Sequence, residues 1–313
     1  MFSIITRDSV LITGGAGFIG ANIVRKLLEK TYNVNLILKK STNPWRIRNV
    51  LSKLKIYEVD LLDKENLKKT IHKIKPTIIF HLSAFSDYRN QEDFEQMVNV
   101  NVIGTMNLLL ASKEIDYRIF VNTGSSSEYG LKNIPMNEKD LLEPISFYAA
   151  TKASTTLMCG VFAREFRKPI ITLRPFSVYG PYENQNRFIP TIIKCILEKR
   201  PIRLTSGSQR RDFIYIDDVV NAYIKMVKGG KKITGQIFNI GTGIEHTNDE
   251  IVSILFKVVE KKVPIKKGGF PLRIWDNPHW VADASKIKKN LDWKPKYTLK
   301  QGLKKTYKWF KNA

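Results

Sequence analysis

The sequence predicts an α/β protein: a Rossmann-like, doubly wound parallel sheet with a smaller C-terminal α/β lobe. Three observations carry this. Short apolar runs alternate with helix-periodic segments through the N-terminal part. A glycine run, Gly14-Gly15-Ala16-Gly17-Phe18-Ile19-Gly20, closes the first apolar run. Tyr148 and Lys152 lie four apart on a later helical segment. Strand and helix alternating over short links is the pattern of a parallel sheet covered on both faces.

The elements follow in order. Val10 to Thr13 is a buried strand ending in glycines. Phe18 to Lys30 is a helix, with Ile19, Ile23, Leu27 and Leu28 on one face. Asn33 to Leu38 and Leu54 to Val59 are strands, and Lys64 to Ile74 is a helix that stops before Pro76. Thr77 to Leu82 is a strand, Gln91 to Ser112 a long helix and Arg118 to Thr123 a strand. Ser146 to Phe166 is a helix, followed by a strand at Ile170 to Leu173. Beyond Gly180-Pro181 the rhythm loosens. Helices are expected at Ile189 to Lys199, Asn248 to Val259 and Ser285 to Leu291, with short strands at Phe213 to Ile216, Gln236 to Ile240 and Val263 to Ile265. A soft boundary near Gly180 divides a dinucleotide-binding domain, 1–180, from a partly interleaved substrate lobe, 181–313.

Composition narrows the class. With 313 residues, 43% of them hydrophobic, the chain can bury a sizeable core. It has no apolar run of about 18 residues, so no membrane span is expected. Met1 to Ser9 carries Arg7 and Asp8 and lacks the apolar core of a signal peptide. Cys159 and Cys195 fall in predicted helices and read as small buried hydrophobes, which suits a reducing cytoplasm. The net charge is +23, but its lysines spread along the whole chain rather than forming one patch. A nucleic-acid partner is therefore not expected, whereas an anionic substrate or cofactor would profit from the field. His72, His81, His246 and His279 show no metal-ligand spacing, and no metal is expected. His81 ends a buried strand and reads as a structural histidine.

The glycine run has the chemistry of a pyrophosphate cradle. Gly14, Gly17 and Gly20 follow a strand and open a helix, whose free amides and partial positive charge favour an anion. The end of the second strand decides between dinucleotides. An acid there would accept a ribose 2′-hydroxyl; this chain has Lys39, Lys40, Ser41 and Thr42 instead, with Arg46 soon after. Those donors suit a 2′-phosphate, so NADP(H) is favoured and NAD(H) remains possible. Asp60, ending the third strand, either binds the adenine amino group or caps the next helix. Tyr148 and Lys152 share a helix face, and a nearby ammonium lowers the pKa of a phenol from its usual ~10. The pair therefore suits proton transfer coupled to hydride transfer.

Seven motifs occur in sequence: Thr13-Gly-Gly-Ala-Gly-Phe-Ile-Gly20, Phe80-His-Leu-Ser-Ala84, Asn101-Val-Ile-Gly-Thr105, Ser125-Ser-Ser-Glu-Tyr-Gly130, Tyr148 with Lys152, Leu173-Arg-Pro-Phe-Ser-Val-Tyr-Gly-Pro181 and Arg211-Asp-Phe-Ile-Tyr-Ile-Asp-Asp218. Over nearly its whole length the chain resembles the extended short-chain dehydrogenase/reductases, the NAD-dependent epimerase/dehydratase family of nucleotide-sugar enzymes. The resemblance implies that Tyr148 is the acid/base, that Lys152 lowers its pKa, and that Ser125 hydrogen-bonds the reacting oxygen. It implies cofactor contacts from Phe18, Ile19, Leu61, Leu82, Ala84 and Val178 besides the residues above. It implies substrate contacts from Ser126, Ser177, Arg187, Arg211 and Arg273, the arginines taking a diphosphate.

Two departures shape the expectation. Dehydratases of the family carry an acid just after the Ser/Thr, where this chain has Ser126 and Ser127, with Glu128 one position late. The family asparagine of the Leu173–Pro181 stretch is Ser177 here. A 4,6-dehydratase is thus disfavoured. The expected substrate is a nucleoside-diphosphate sugar, and the expected reaction is at C4: reduction of a 4-keto sugar by NADPH, or alternatively an NAD-dependent 4-epimerisation. A non-catalytic cofactor-binding protein on the same fold is the reading from another class. A homodimer is expected, through the helices near Gln91–Ser112 and Ser146–Phe166.

Overall fold

The computed structural model describes residues 8–85, 93–269 and 279–312. The chain divides into two compact units: Met1–Glu128 with Ser146–Arg174 and Tyr223–Ile237, and Tyr129–Ile145 with Pro175–Ala222 and Phe238–Ala313.

The first unit is built on strands β1 (Ser9–Thr13), β2 (Asn33–Leu38), β3 (Lys55–Glu58), β4 (Ile78–His81), β5 (Ile119–Thr123) and β6 (Ile170–Pro175). With β7 (Ile237–Ile240) they form a seven-stranded sheet in the order β7-β6-β5-β4-β1-β2-β3. Neighbours from β3 to β6 pair parallel; Thr13 lies opposite Ile37 on one side and His81 on the other. The order reverses between β1 and β4. The connections that leave the carboxyl ends of those two strands therefore run in opposite directions along the sheet, the place where open α/β sheets take ligands.

The helices of this unit are α1 (Phe18–Glu29), α2 (Lys64–Ile74), α3 and α4 (Phe147–Glu165). Helix α3 starts as Phe94–Met97, passes through a π-helical stretch, Val98–Ile103, and continues as Gly104–Ser112. Asp63 caps α2 by accepting from Asn66 N, and Ser146 caps α4 by accepting from Ala149 N. Leu11, Ile79, Phe120 and Ile170 from the sheet pack with Leu67, Ile71, Leu108, Leu109 and Phe162 from the helices, all nearly inaccessible. Each such side chain contributes about 1.5–3 kcal/mol by leaving water. This core fixes the strand ends that carry the site.

The second unit contains α5 (Phe188–Leu197), α7 (Asn248–Val259), α8 (Ser285–Leu291) and α9 (Leu299–Asn312); between α5 and α7, α6 (Ile216–Gly229) carries the chain back into the first unit. Ser177–Tyr179 pairs parallel with Phe213–Tyr215. The Asp218 carboxylate accepts Lys296 N at 2.8 Å and Tyr297 N at 3.1 Å, and its carbonyl accepts Trp293 Nε1 at 3.3 Å. A Cβ on Gly302 would stand 2.1 Å from the Tyr179 hydroxyl, so α9 closes on Tyr179 only because that position is glycine.

Most expected elements stand within a residue or two of their places. The expected strand at Val263–Ile265 is instead Ile265–Lys266, paired with Ile202–Arg203. The strand expected to end at Ile216 ends at Tyr215, because Ile216 opens α6 with Asp217 and Asp218 in its first turn, where acids suit the helix dipole. The first residues of the helix expected from Gln91 lie outside the described residues. Helices α6 and α9 and a 3₁₀ helix at Trp45–Lys53 exceed the sequence expectation. In α9 the buried positions are only Gly302, Leu303 and Thr306, a stripe too thin to stand out among its lysines. Among the described residues no helix is long and apolar enough to cross a membrane.

Candidate active site

The glycine turn is held by steric necessity. Gly14 has φ 71°, and a Cβ there would lie 2.6 Å from the Leu82 carbonyl carbon. A Cβ on Gly20 would lie 2.2 Å from Gly14 O. Both close approaches seat α1 directly behind the turn. Gly17 caps α1 with no side-chain hydrogen bond, and no acid stands in the first turn. The amides of Phe18, Ile19 and Gly20 therefore open the helix without a competing side chain, as a pyrophosphate requires.

Beside the turn lies a cavity of about 130 Å³ lined by Gly14, Ala16, Gly17, Ile37, Leu38, Lys39, Thr42, Val59, Asp60, Leu61 and Ser83. Its apolar walls and polar rim suit an adenosine moiety, so the residues present fit a dinucleotide. Lys39 Nζ stands 3.1 Å from Asp60 Oδ2. Asp60 does not cap α2, the role Asp63 fills; it accepts Leu62 N at 3.0 Å. Burial alone would raise the Asp60 carboxyl, but the Leu62 amide and Lys39 hold it below its ordinary value. Lys40 and Ala84 are exposed, Leu82 is half-buried, and none of the three lines this cavity; Ser83 and Thr42 do.

Lys152 and Tyr148 occupy the first turns of α4. Lys152 is only 4% exposed. Burial lowers its pKa, and the Glu128 charge opposes that shift. Tyr148 is half-buried and sits within electrostatic reach of Tyr223, whose hydroxyl lies 2.7 Å from Thr123 Oγ1 at the end of β5. Ser125 follows β5 by two residues. Its Oγ is 2.7 Å from Ser127 Oγ and accepts Ser127 N at 3.2 Å; Ser126 is buried.

What sequence reasoning missed is the structural role of Glu128. It is fully buried. Its Oε1 accepts Ser125 N at 2.7 Å and Thr156 Oγ1 at 3.0 Å, and its Oε2 accepts Arg174 Nε at 2.7 Å. Burial raises this carboxyl, and Arg174 first among its partners pulls it back. The one-residue offset from the dehydratase acid was visible in the sequence; the pairing with Arg174, 46 positions away, was not.

A second buried network runs from the glycine turn to α4. Thr13 Oγ1 lies 2.6 Å from His81 Nδ1, and His81 Nε2 lies 2.8 Å from Thr105 Oγ1. Asn101 Nδ2 donates to Phe85 O at 3.0 Å and Thr151 Oγ1 at 2.9 Å, and Asn101 Oδ1 accepts Phe85 N at 2.7 Å. Thr151 in turn donates to Tyr148 O at 2.8 Å. His81 is partnered at both nitrogens, as its strand position implied, and burial followed by the Lys152 charge depresses its pKa to about 3.

The other expected contacts belong to the second unit. Ser177 and Val178 are half-buried in their short strand. Arg211 donates to Arg210 O at 2.7 Å and its guanidinium stands 5.2 Å from the Trp280 ring centroid. Its neighbour Asp212 is buried and accepts Thr242 N, Thr242 Oγ1, Gly243 N and Ala282 N, which fixes the backbone around Arg211. Arg187 Nε lies 4.0 Å from Glu183 Oε1. Arg273 lies outside the described residues. Among the described residues no cluster of His, Cys, Asp and Glu could hold a metal.

Fold, glycine cradle and the Ser–Tyr–Lys set define an extended short-chain dehydrogenase/reductase of the NAD-dependent epimerase/dehydratase kind. The chain belongs to the GDP-mannose 4,6 dehydratase family, which matches it over residues 11–306. It is similar to a UDP-glucuronate 4-epimerase of Thermodesulfobacterium geofontis, 32% identical over 96% of this chain and 95% of that protein. It is also similar to a dTDP-glucose 4,6-dehydratase of Haemophilus influenzae, 28% identical over 96% of this chain and 97% of that protein. Among solved structures it resembles the UDP-glucuronic acid 4-epimerase from Bacillus cereus in complex with UDP-glucuronic acid and NAD, at 31% identity and a TM-score of 0.88, with 97% of this chain and 99% of that chain covered.

Proposed function

We propose that this chain is a nucleotide-sugar 4-epimerase that works with NAD, on a UDP-sugar. The observation that carries the reading is the fate of the acid beside Ser125. Ser126 and Ser127 stand at the positions that follow Ser125, and Glu128 is sealed against Arg174. Loss of water from a sugar needs an acid and a base beyond the pair that works at C4. Epimerisation at C4 needs only the latter.

Tyr148, as phenolate, takes the proton from the C4 hydroxyl and later returns it. Ser125 hydrogen-bonds the C4 oxygen in both its alcohol and carbonyl forms, because a hydroxyl donates and accepts. Lys152 stabilises the phenolate by its charge. A nicotinamide dinucleotide held there would supply reversible hydride transfer at C4, and inversion follows when the hydride returns to the opposite face of the carbonyl. Gly14, Gly17 and the first amides of α1 would hold its pyrophosphate, and the cavity walled by Lys39, Asp60 and Leu61 its adenosine. Arg187, Arg211 and Arg273 would take the substrate diphosphate. The similar enzymes with UDP-glucuronic acid and NAD support both the cofactor and the nucleotide.

One observation favours a second reading, a 4-keto sugar reductase using NADPH: the residue after β2 is Lys39 rather than an acid, and it lines the adenosine cavity. Mass spectrometry of what the denatured protein releases, with an assay on UDP-glucose and UDP-glucuronic acid, separates the two. Near-stoichiometric NAD and interconversion of C4 epimers without net reduction support the epimerase. An empty site, tenfold tighter binding of NADPH than NADH and no epimerisation overturn it in favour of the reductase.

The same reading includes a homodimer. Phe94, Val98 and Leu110 on α3, and Phe147, Leu157 and Val161 on α4, are all at least 40% exposed. Phe94 and Phe147 stack with centroids 3.8 Å apart, which joins the two stripes into one apolar face. A monomer rarely leaves such a face in water, and a second copy would cover it. The free, buried Cys159 and Cys195 fit a reducing cytoplasm.

A further inference from the structure

Among the described residues, Glu128 is the fully buried acid beside the reacting groups that the chemistry at C4 does not use. Its three partners come from three parts of the first unit. Ser125 N belongs to the loop after β5, Thr156 Oγ1 to α4 one turn beyond Lys152, and Arg174 Nε to β6. The carboxylate also fills its space closely: a Cβ on Gly124 would fall 2.5 Å from Glu128 Oε1. Gly124 N is meanwhile tied to Leu173 O at 2.7 Å, next to Arg174. A loop so pinned has little freedom to let Ser125 drift relative to α4.

We propose that Glu128 is a positioning residue: its carboxylate fixes the Ser125 backbone against the helix bearing Tyr148 and Lys152, and places a negative charge beside the buried Lys152 ammonium. The inference rests on the proposed roles of Ser125, Tyr148 and Lys152. A group 1 Å out of place costs as much as 10²-fold in rate, so a staple at this point is worth building into the core. Ser126 and Ser127 put no acid at the two positions after Ser125, while the acid one step further serves the framework.

Among the described residues, the groups facing Lys152 come from the loop after β5, from β4 and β6, and from α4 itself. Glu128 raises its proton affinity, and Cys159, a neutral thiol whose pKa burial lifts to about 12, lies behind it on α4. His81 from β4 is neutral, with its pKa near 3. Tyr148 stands one turn before it, and Arg174 is compensated by Glu128. Removing Glu128 therefore removes the carboxylate that, among the described residues, favours a charged Lys152. A Lys152 that gives up its proton no longer stabilises the phenolate, so the Tyr148 phenol should titrate at higher pH.

The test uses the full-length protein with bound NAD. Glu128→Gln removes the anion and keeps an oxygen for Ser125 N. Glu128→Met with Arg174→Met, a replacement that buried ion pairs commonly tolerate, removes the staple at unchanged net charge and serves, read by kcat and KM alone, if the single variant does not fold. The Tyr148 titration is read at 295 nm as the difference from the same protein carrying Tyr148→Phe, which needs no substrate; kcat and KM are then measured with UDP-sugars. The expected result is a folded variant that binds NAD within threefold of the parent, titrates Tyr148 at least half a pH unit higher, and loses at least tenfold in kcat with KM within threefold. A folded variant with an unmoved titration, or with parental kcat, overturns the proposal. If the parent protein itself turns over no nucleotide sugar, the epimerase reading fails, and the titration alone still decides the role of Glu128.

Discussion

Thr105 fixes the proton of His81. The Thr105 hydroxyl donates to Asn101 O at 2.5 Å, so its oxygen is left to accept from His81 Nε2 at 2.8 Å. The imidazole must carry its hydrogen on Nε2 and accept from Thr13 Oγ1 through Nδ1, 2.6 Å away. A protonated ring would present a second donor to Thr13, in a place where burial already opposes charge.

Acid should therefore loosen the turn. The folded pKa of His81, about 3, lies below the unfolded value near 6.5, so the unfolded state binds the extra proton between them. The contribution of a neutral His81 is complete above pH 6.5 and is lost as pH falls toward 3, by up to ~1.4 kcal/mol per pH unit. Thermal melts between pH 7 and 5 should show this slope in the parent protein and lack it in His81→Gln. That variant should also be about 1–3 kcal/mol less stable at pH 7.

Glu183 has the opposite sign. It is 6% exposed, and burial raises its pKa to about 8, with Arg187 giving partial relief. A folded pKa above the unfolded one means that stability is complete below pH 4.5 and is lost as pH rises to 8. Glu183→Gln, which stays neutral, should melt higher than the parent at pH 8.5 and near the same temperature at pH 5. Melts that coincide at both values would remove the argument.

Gly20→Ala should be severe, because the added methyl would meet backbone, 2.2 Å from Gly14 O and 2.9 Å from Gly15 Cα, rather than a movable side chain. The expected cost is about 1–3 kcal/mol of stability. Affinity for NAD should also fall at least tenfold, as read by calorimetry. Gly160→Ala on α4, whose Cβ would meet only the far end of Arg164 at 3.5 Å, is the matched control and should leave both unchanged.

Leu157→Arg tests the apolar face of α3 and α4. Leu157 is 61% exposed, so the substitution should not disturb the fold of one copy. Light scattering after size exclusion should give a dimer mass for the parent and a monomer mass for the variant, with the melting curve little changed. A parent that runs as a monomer at micromolar concentration would sink the dimer.

How far the sequence reaches depends on which residues carry the information. The strands of the first unit announce themselves, because a parallel strand buried on both faces reads as an unbroken apolar run, as in Val10-Leu11-Ile12 and Ile78-Ile79-Phe80. The glycine cradle and the Tyr148–Lys152 pair are local spacings, and local spacings survive in one dimension. What stayed hidden is nonlocal. Nothing in the string joins Glu128 to Arg174, or Asp218 to Lys296 and Tyr297. Helix α9 escaped for a different reason: it is buried along a narrow stripe, so its lysines drown the apolar period. The preference for NADP rests on Lys39, Lys40 and the missing acid after β2, and the pairing of Lys39 with Asp60 gives that lysine a partner within the protein, which weakens its claim as a phosphate ligand.

The ties of Asp218 also set a timetable. A ribosome makes the chain from the amino end, and the last segment of the first unit ends at Ile237. That unit can close its core while the rest is still being made. Asp218 leaves the ribosome before Ile237 does, but the amides that satisfy it, Lys296 and Tyr297, are synthesised 78 and 79 residues after it. The second unit therefore closes after the first can, and for a time the nascent chain carries an ordered nucleotide fold while the second unit is still half-assembled.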